Sequence, residues 1–516
     1  MSWQKKVDEL FARRERALEM GGKHKIKRQH DQGKLTARER IALLFDKGTF
    51  TEYGMLAKSQ SQRPEMLNKN TTADGVITGY GKINGRTACV VAEDFTVMGG
   101  SVGVTHMMKN LRLIQLAQDM KVPIVWLMDG AGARAEENIN GGLPMVTHFL
   151  EIARLSGISP QVGVAMGPCS GDSSLVPSLL EFIIIVKGHG MLAAGGPPVV
   201  YAAIGEVISK EDLGGSKIHC RESGLADNEA ESDEHAISMA KEYLSYLPLN
   251  AYEYPPYRQT DDKADRMEEE LLNIVPMEYK DPYDMKRIIK CIVDEGNFFE
   301  IKPEFGTSLI TAFTRMGGYS VGIIANQPMV LAGALDARSS AKMRHFVDLC
   351  SAYHVPMIFL VDVPGVMTGS RAEREGTLRA GLAVAYSLAY ADVPKITVVI
   401  RKAFGFGGSA MCGYGARQAG VFAWPTADFG AIPGGGGVLA AYKSEIEAAA
   451  DPELKRRELE AMFEEYKGPY SAAASFNVDD VIDPRETRPR IIRALELALN
   501  SRSAPARPVA RYGVMP

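Results

Sequence analysis

Short apolar runs alternate along this chain with longer stretches whose apolar positions recur at helical spacing. Ile124-Val125-Trp126-Leu127-Met128, Phe182-Ile183-Ile184-Ile185-Val186 and Met357-Ile358-Phe359-Leu360-Val361 are apolar throughout. Runs of that kind suit strands buried on both faces of a parallel sheet. They are far too short to cross a bilayer, so no membrane-spanning segment is expected. Residues 1–45 are charged and helix-prone, and Leu35, Ile41, Leu44 and Phe45 fall at helical spacing. Beyond them, the alternation of strand-like runs, helix-like runs and Gly-rich turns predicts an α/β protein.

The pattern occurs twice. Val122-Pro123-Ile124-Val125-Trp126-Leu127-Met128-Asp129-Gly130-Ala131-Gly132 resembles Val355-Pro356-Met357-Ile358-Phe359-Leu360-Val361-Asp362-Val363-Pro364-Gly365. The same 233-residue offset separates Lys121 from His354 and Val97 from Val330. A third block, beginning at Val162, falls within one residue of that offset from the run beginning at Ile396. Three matched blocks in one order predict two copies of one fold. Between them lies a Pro/Tyr stretch, 250–258, followed by a charged run, 261–266, which reads as a linker. The expected domains are 1–255 and 256–516.

In each copy an apolar run ends in a Gly-rich turn and resumes as a helix. The turns are Met166-Gly167-Pro168-Cys169-Ser170-Gly171-Asp172-Ser173 and Phe404-Gly405-Phe406-Gly407-Gly408-Ser409. A helix start presents unpaired N–H groups to a developing oxyanion, and glycine lets a ligand approach the backbone. A structural turn copied by the duplication would look the same. No Gly-x-x-x-x-Gly-Lys-Ser/Thr loop is present. A mechanism built on backbone dipoles fits that absence.

Composition narrows the class. With 516 residues and 46% hydrophobic positions, the chain can bury more than one core. A net charge of −4 disfavours a nucleic-acid partner. The six cysteines contain no C-x-x-C, so no zinc site or other metal is expected, and they read as reduced thiols. The first residues mix charges and lack a secretory apolar region.

Several further motifs together resemble the carboxyltransferase β subunits of propionyl-CoA and methylcrotonyl-CoA carboxylases, over nearly the whole chain. They include Gly33-Lys34-Leu35-Thr36-Ala37-Arg38-Glu39-Arg40 and Asp94-Phe95-Thr96-Val97-Met98-Gly99-Gly100-Ser101. To these are added Asp129-Gly130-Ala131-Gly132-Ala133-Arg134, Val361-Asp362-Val363-Pro364-Gly365 and Trp424-Pro425-Thr426-Ala427. The resemblance implies two tandem crotonase-like domains, an acyl-CoA side in the first and a biotin side in the second. It implies transfer of carboxylate from carboxybiotin to the α-carbon of an acyl-CoA. It also implies biotin on a separate biotin carboxylase or carrier subunit, and a homo-oligomer, usually a hexamer with its active site between the first domain of one subunit and the second of another. No biotin attachment sequence is evident in this chain.

By position, the resemblance puts Gly171 and Asp172 at the thioester oxygen, and Phe406 and Gly407 at the biotin carbonyl. Gly99, Gly100, Ser101, Gly132, Ala133 and Arg134 fall on the CoA side; Gly365, Gly405, Gly408, Gly435 and Gly436 fall on the biotin side. Bland readings stand beside these. Arg134 meets a CoA phosphate or pairs with Glu136 or Glu137. Gly99 and Gly100 serve packing or CoA approach, and Asp129 and Asp362, which end apolar runs, cap turns. Asp172 replaces a glycine of the family pattern, and Phe406 also departs from it, which points to a reshaped acyl pocket. The chemistry run backward, as in biotin-dependent decarboxylases, and a non-catalytic CoA-binding paralogue are the alternatives. The expected compartment is a bacterial cytoplasm, or the mitochondrial matrix for a processed chain.

Overall fold

A computed structural model describes residues 2–138, 146–431, 434–464, 468–502, 505–509 and 513–515, without the side chains of 138, 146–148, 434–436 and 463–464. The chain divides into two compact units, Met1–Glu253 with Arg507–Pro516, and Tyr254–Ala506. The division falls two residues before the expected one, and the last segment belongs to the first unit.

The first unit holds β1 (Thr51–Tyr53), β2 (Val76–Ile83), β3 (Arg86–Glu93), β4 (Ile124–Met128), β5 (Gln161–Ala165), β6 (Pro168–Ser170), β7 (Phe182–Val186), β8 (Met191–Ala193) and β9 (Asn228–Ala230). Seven of these form one sheet in the order β1-β2-β3-β4-β5-β7-β9, and β6 pairs with β8 alone. An antiparallel β2–β3 hairpin leads into parallel β4, β5, β7 and β9. Asn84 and Gly85 both take positive φ in its two-residue loop, as a tight hairpin requires. Leu113 and Ile114 of the helix Val104–Met120 bury against Trp126, Leu155 and Ile185.

The second unit repeats the plan. Its strands are β10 (Phe298–Ile301), β11 (Leu309–Met316), β12 (Tyr319–Asn326), β13 (Met357–Val363), β14 (Lys395–Phe404), β15 (Gly420–Ala423), β16 (Asp428–Gly430) and β17 (Asp480–Val481). The order is β10-β11-β12-β13-β14-β15-β17, with β16 beside β14. Ile289, Ile323, Leu360, Val398, Trp424 and Leu495 share its core.

The 233-residue offset holds at the level of single contacts. The bridge Val102–Ala133 recurs as Leu335–Val366. A side chain on Gly100 would run into the Asp129 carbonyl, and one on Gly333 into that of Asp362. Lys109 donates to Ala73 O at 2.8 Å, and Lys342 to Leu309 O at 2.7 Å, both from buried positions. Burial pushes these ammonium groups down, to about 8 and about 7 respectively.

Candidate functional site

In the first unit, β6 runs out at Ser170 and the chain turns at Gly171, where φ is +53° and only glycine is unstrained. The Gly171 N–H donates to Ala193 O at 3.1 Å, so Gly171 supplies the bend and has no donor to spare. The helix Asp172–Leu175 follows, closed by N–H bonds from Ser174 and Leu175 to Gly171 O. The Asp172 and Ser173 N–H groups have no acceptor among the described residues. Facing them is Gly132, φ +81°, on the loop after β4. A side chain there would strike the Ser170 carbonyl and lie 3.5 Å from Gly171 Cα. Gly132 O accepts from Val102 N–H, while its own N–H is unpaired among the described residues. Ala131 and Ala133, on either side, are exposed.

Asp172 is half-buried, and burial raises its carboxyl above the ordinary range; one of its oxygens is buried with no hydrogen bond. The Asp129 carboxylate does not cap a turn. It accepts from Lys34 at 2.7 Å, Arg40 at 2.9 Å and Gln29 at 2.8 Å, all buried, and ties β4 to the N-terminal segment. Asp362 does the same work for β13, receiving Arg401 at 3.0 Å.

Arg134 is an ion-pairing residue. It is fully buried, and its guanidinium is spent on Asp74 (2.6 Å), Glu137 (2.9 Å), and Ser101 O (2.8 Å) and Oγ (3.2 Å). The pairing with Glu137 is present, and Asp74 is a second partner that lies 60 residues away and leaves no local mark. Ser101 is likewise buried and donates to Met98 O. Gly100 packs on Asp129 O, and Gly99 O accepts from Ala131 N–H at 2.9 Å. Residues 99–101 thus brace the loop that carries Gly132.

In the second unit, β14 ends at Phe404 and Gly405 takes φ +53°, the value found at Gly171. The helix Gly405–Ala410 begins there. By backbone conformation Phe406 is therefore the counterpart of Asp172, and Gly407 that of Ser173. A side chain on Gly407 would come within 2.7 Å of Gly365 Cα, so this turn rests on Gly365 as the first rests on Gly132. The Phe406 ring is turned toward Gly381 on the helix Thr377–Tyr390. A cavity of about 740 Å³ opens beside the turn, lined by Gly405, Gly408, Val361, Thr397, Tyr414 and Phe429 among others. Gly435 and Gly436 fall in the first turn of the helix Gly434–Ala448; their surroundings lie outside the described residues.

Residues 28–511 match the carboxyl transferase domain. The chain belongs to that family. It is 37% identical, over all of both chains, to the propionyl-CoA carboxylase carboxyltransferase subunit of Haloferax mediterranei. It is 38% identical, over 97% of each chain, to the methylmalonyl-CoA decarboxylase subunit alpha of Veillonella parvula. Among solved structures, the transcarboxylase 12S hexamer with methylmalonyl-coenzyme A bound superposes with a TM-score of 0.93. That match is 37% identical and covers 100% of this chain and 99% of the other. Two tandem crotonase-like domains and a biotin-dependent carboxyltransferase activity follow for this chain.

One residue at the first turn leaves no local mark in the sequence. Glu93 ends β3 and looks like a strand terminus; only the 233-residue register, which pairs it with Asn326, marks it. For Gly132, expected on the CoA side, the structure adds that its N–H, unpaired among the described residues, faces the turn.

Proposed function

We propose that this chain transfers carboxylate between biotin carried on a separate protein and the α-carbon of an acyl-CoA. The observation that carries the proposal is the pair of like turns, each a positive-φ glycine opening a helix against a second glycine. In the first unit, the Asp172 and Gly132 N–H groups would hold the thioester oxygen as the enolate forms. Each such donor is worth about 2.7–4 kcal/mol. In the second unit, Phe406 and Gly365 occupy the same places and would polarise the biotin ureido carbonyl. The adjoining cavity, lined in part by Gly405 and Gly408, fits a small bicyclic ring. When bound, biotin supplies the carboxyl group; the chain supplies the two sets of dipoles and the glycines that admit the reactants. The Asp172 side chain, standing where the family pattern has a glycine, would reshape the acyl end of the site.

Purified protein incubated with free biotin and a panel of carboxylated acyl-CoAs tests this reading. Biotin-dependent decarboxylation of one member is expected and names the acyl group. Retained CoA binding with no turnover of any member would instead support a silent CoA-binding paralogue. The similarity to a methylmalonyl-CoA decarboxylase subunit favours a second direction of flux through the same site, and the partner that co-purifies, a biotin carboxylase or a membrane decarboxylase, separates the two.

Self-association completes the proposal, as a hexamer like that of the 12S structure. Leu378, Leu382, Tyr386 and Tyr390, four residues apart along one helix, are each more than half exposed. An apolar stripe of that kind marks an interface. The six cysteines are all free and buried, which fits a reducing cytoplasm. No helix of the described residues is long and apolar enough to cross a membrane.

A further inference from the structure

Glu93 lies 1% exposed at the end of β3. One of its oxygens accepts from the Asp129 N–H at 2.8 Å, and the other accepts from Ser173 Oγ at 2.7 Å. It thus joins the two segments that meet at the first turn, the loop that runs from Asp129 to Gly132 and the helix that starts at Asp172. Gly130 makes room for it: a side chain there would come within 2.5 Å of the carboxyl oxygen and 2.6 Å of Ser173 Oγ.

We propose that Glu93 is a positioning residue for carboxyl transfer that works as the neutral acid, and that its ionisation switches the first site off. The proposal rests on the acyl thioester being held at this turn.

The repeat supports it independently. At the same register in the second unit stands Asn326, whose Oδ1 accepts from the Asp362 N–H at 3.1 Å and whose Nδ2 donates to Gly333 O at 3.0 Å. The tie to the N–H at the end of the neighbouring strand therefore recurs, once with an amide that carries no charge, while the second tie of Asn326 goes to Gly333 and not to the helix. Among the described residues no cation pairs with Glu93. Asp129 from the end of β4 and Asp172 from the helix both face it with acidic groups, Cys169 on β6 presents a buried thiol, and Lys34 and Arg40 are committed to the Asp129 carboxylate. Burial holds the proton on Glu93 up to about pH 8. Above that, a negative charge would stand behind the N–H groups proposed to hold the enolate oxygen, opposing the same charge in the transition state.

The experiment is a pH profile of biotin-dependent methylmalonyl-CoA decarboxylation for the wild-type protein and Glu93→Gln, with a difference infrared titration of the protonated carboxyl band, wild type against variant. In the wild type, kcat should fall about tenfold per pH unit above pH 8, and the band should disappear over the same range. Glu93→Gln should keep at least a tenth of the wild-type maximum and lose that alkaline limb. An unchanged limb in Glu93→Gln, a folded but inactive Glu93→Gln, or a wild-type band already absent at pH 7 would each overturn the proposal. If neither protein turns over methylmalonyl-CoA or any other carboxylated acyl-CoA while the band titrates near pH 8, the reading of the site has failed and the neutral carboxyl alone remains. That result also overturns the catalytic role.

Discussion

Single residues at the first turn make separable demands. Asp172 is the first residue of its helix, a position where proline fits without strain because its missing N–H has no helical partner. Asp172→Pro deletes one donor together with the carboxylate, so, measured against Asp172→Gly, which deletes the carboxylate alone, kcat in the decarboxylation assay should fall about 100- to 1,000-fold. Asp172→Gly keeps the N–H and should leave kcat within about tenfold while altering the preference among acyl-CoAs; an unchanged preference would remove Asp172 from the acyl pocket. Arg134 belongs to a different kind of test. Arg134→Met strands Asp74 and Glu137 in a buried site, a loss of about 3–5 kcal/mol. The expected readout is a lowered thermal midpoint of the folded protein, with CoA binding by the remaining folded fraction unchanged.

Elements were more legible than the contacts between them. Apolar runs such as Phe182–Val186 and the offset between Lys121 and His354 announced two α/β copies, because burial on both sheet faces and gene-level duplication are both written in linear order. The Gly-rich strand-to-helix turns were equally plain. Which glycine bends and which donates was not: Gly171 and Gly405 are identified by φ, a property of the folded backbone. The resemblance names Gly171–Asp172 and Phe406–Gly407, whereas backbone conformation pairs Asp172 with Phe406 and Ser173 with Gly407. Arg134 left two readings open for a related reason. An arginine in a glycine-rich loop resembles an anion contact until a carboxylate from 60 positions upstream is seen beside it. Gly407 offers the matching test in the second unit. A methyl group there meets backbone, at Gly365, that cannot swing away. Gly407→Ala should lower biotin-dependent turnover at least tenfold while calorimetric acyl-CoA affinity stays at the wild-type value, since the first turn is untouched.

For the whole molecule, the exposed stripe on the helix Thr377–Tyr390 predicts an assembly that one charge can break. Leu382→Glu should shift the protein to smaller species in sedimentation velocity, with the circular dichroism of the folded chain retained. A second feature concerns how the molecule comes to be made. The chain leaves its first unit at Glu253, builds the whole of the second, and returns. There Val514 N–H donates to the Ser156 hydroxyl at 2.9 Å and Gly513 packs on the same serine. During synthesis, about 250 residues emerge from the ribosome between the body of the first unit and the segment that fastens it. At roughly 5–20 residues per second that is an interval of about 12–50 seconds. For that time a nascent chain carries a nearly complete first copy with one seam open, a window in which a chaperone or a neighbouring nascent chain can reach it.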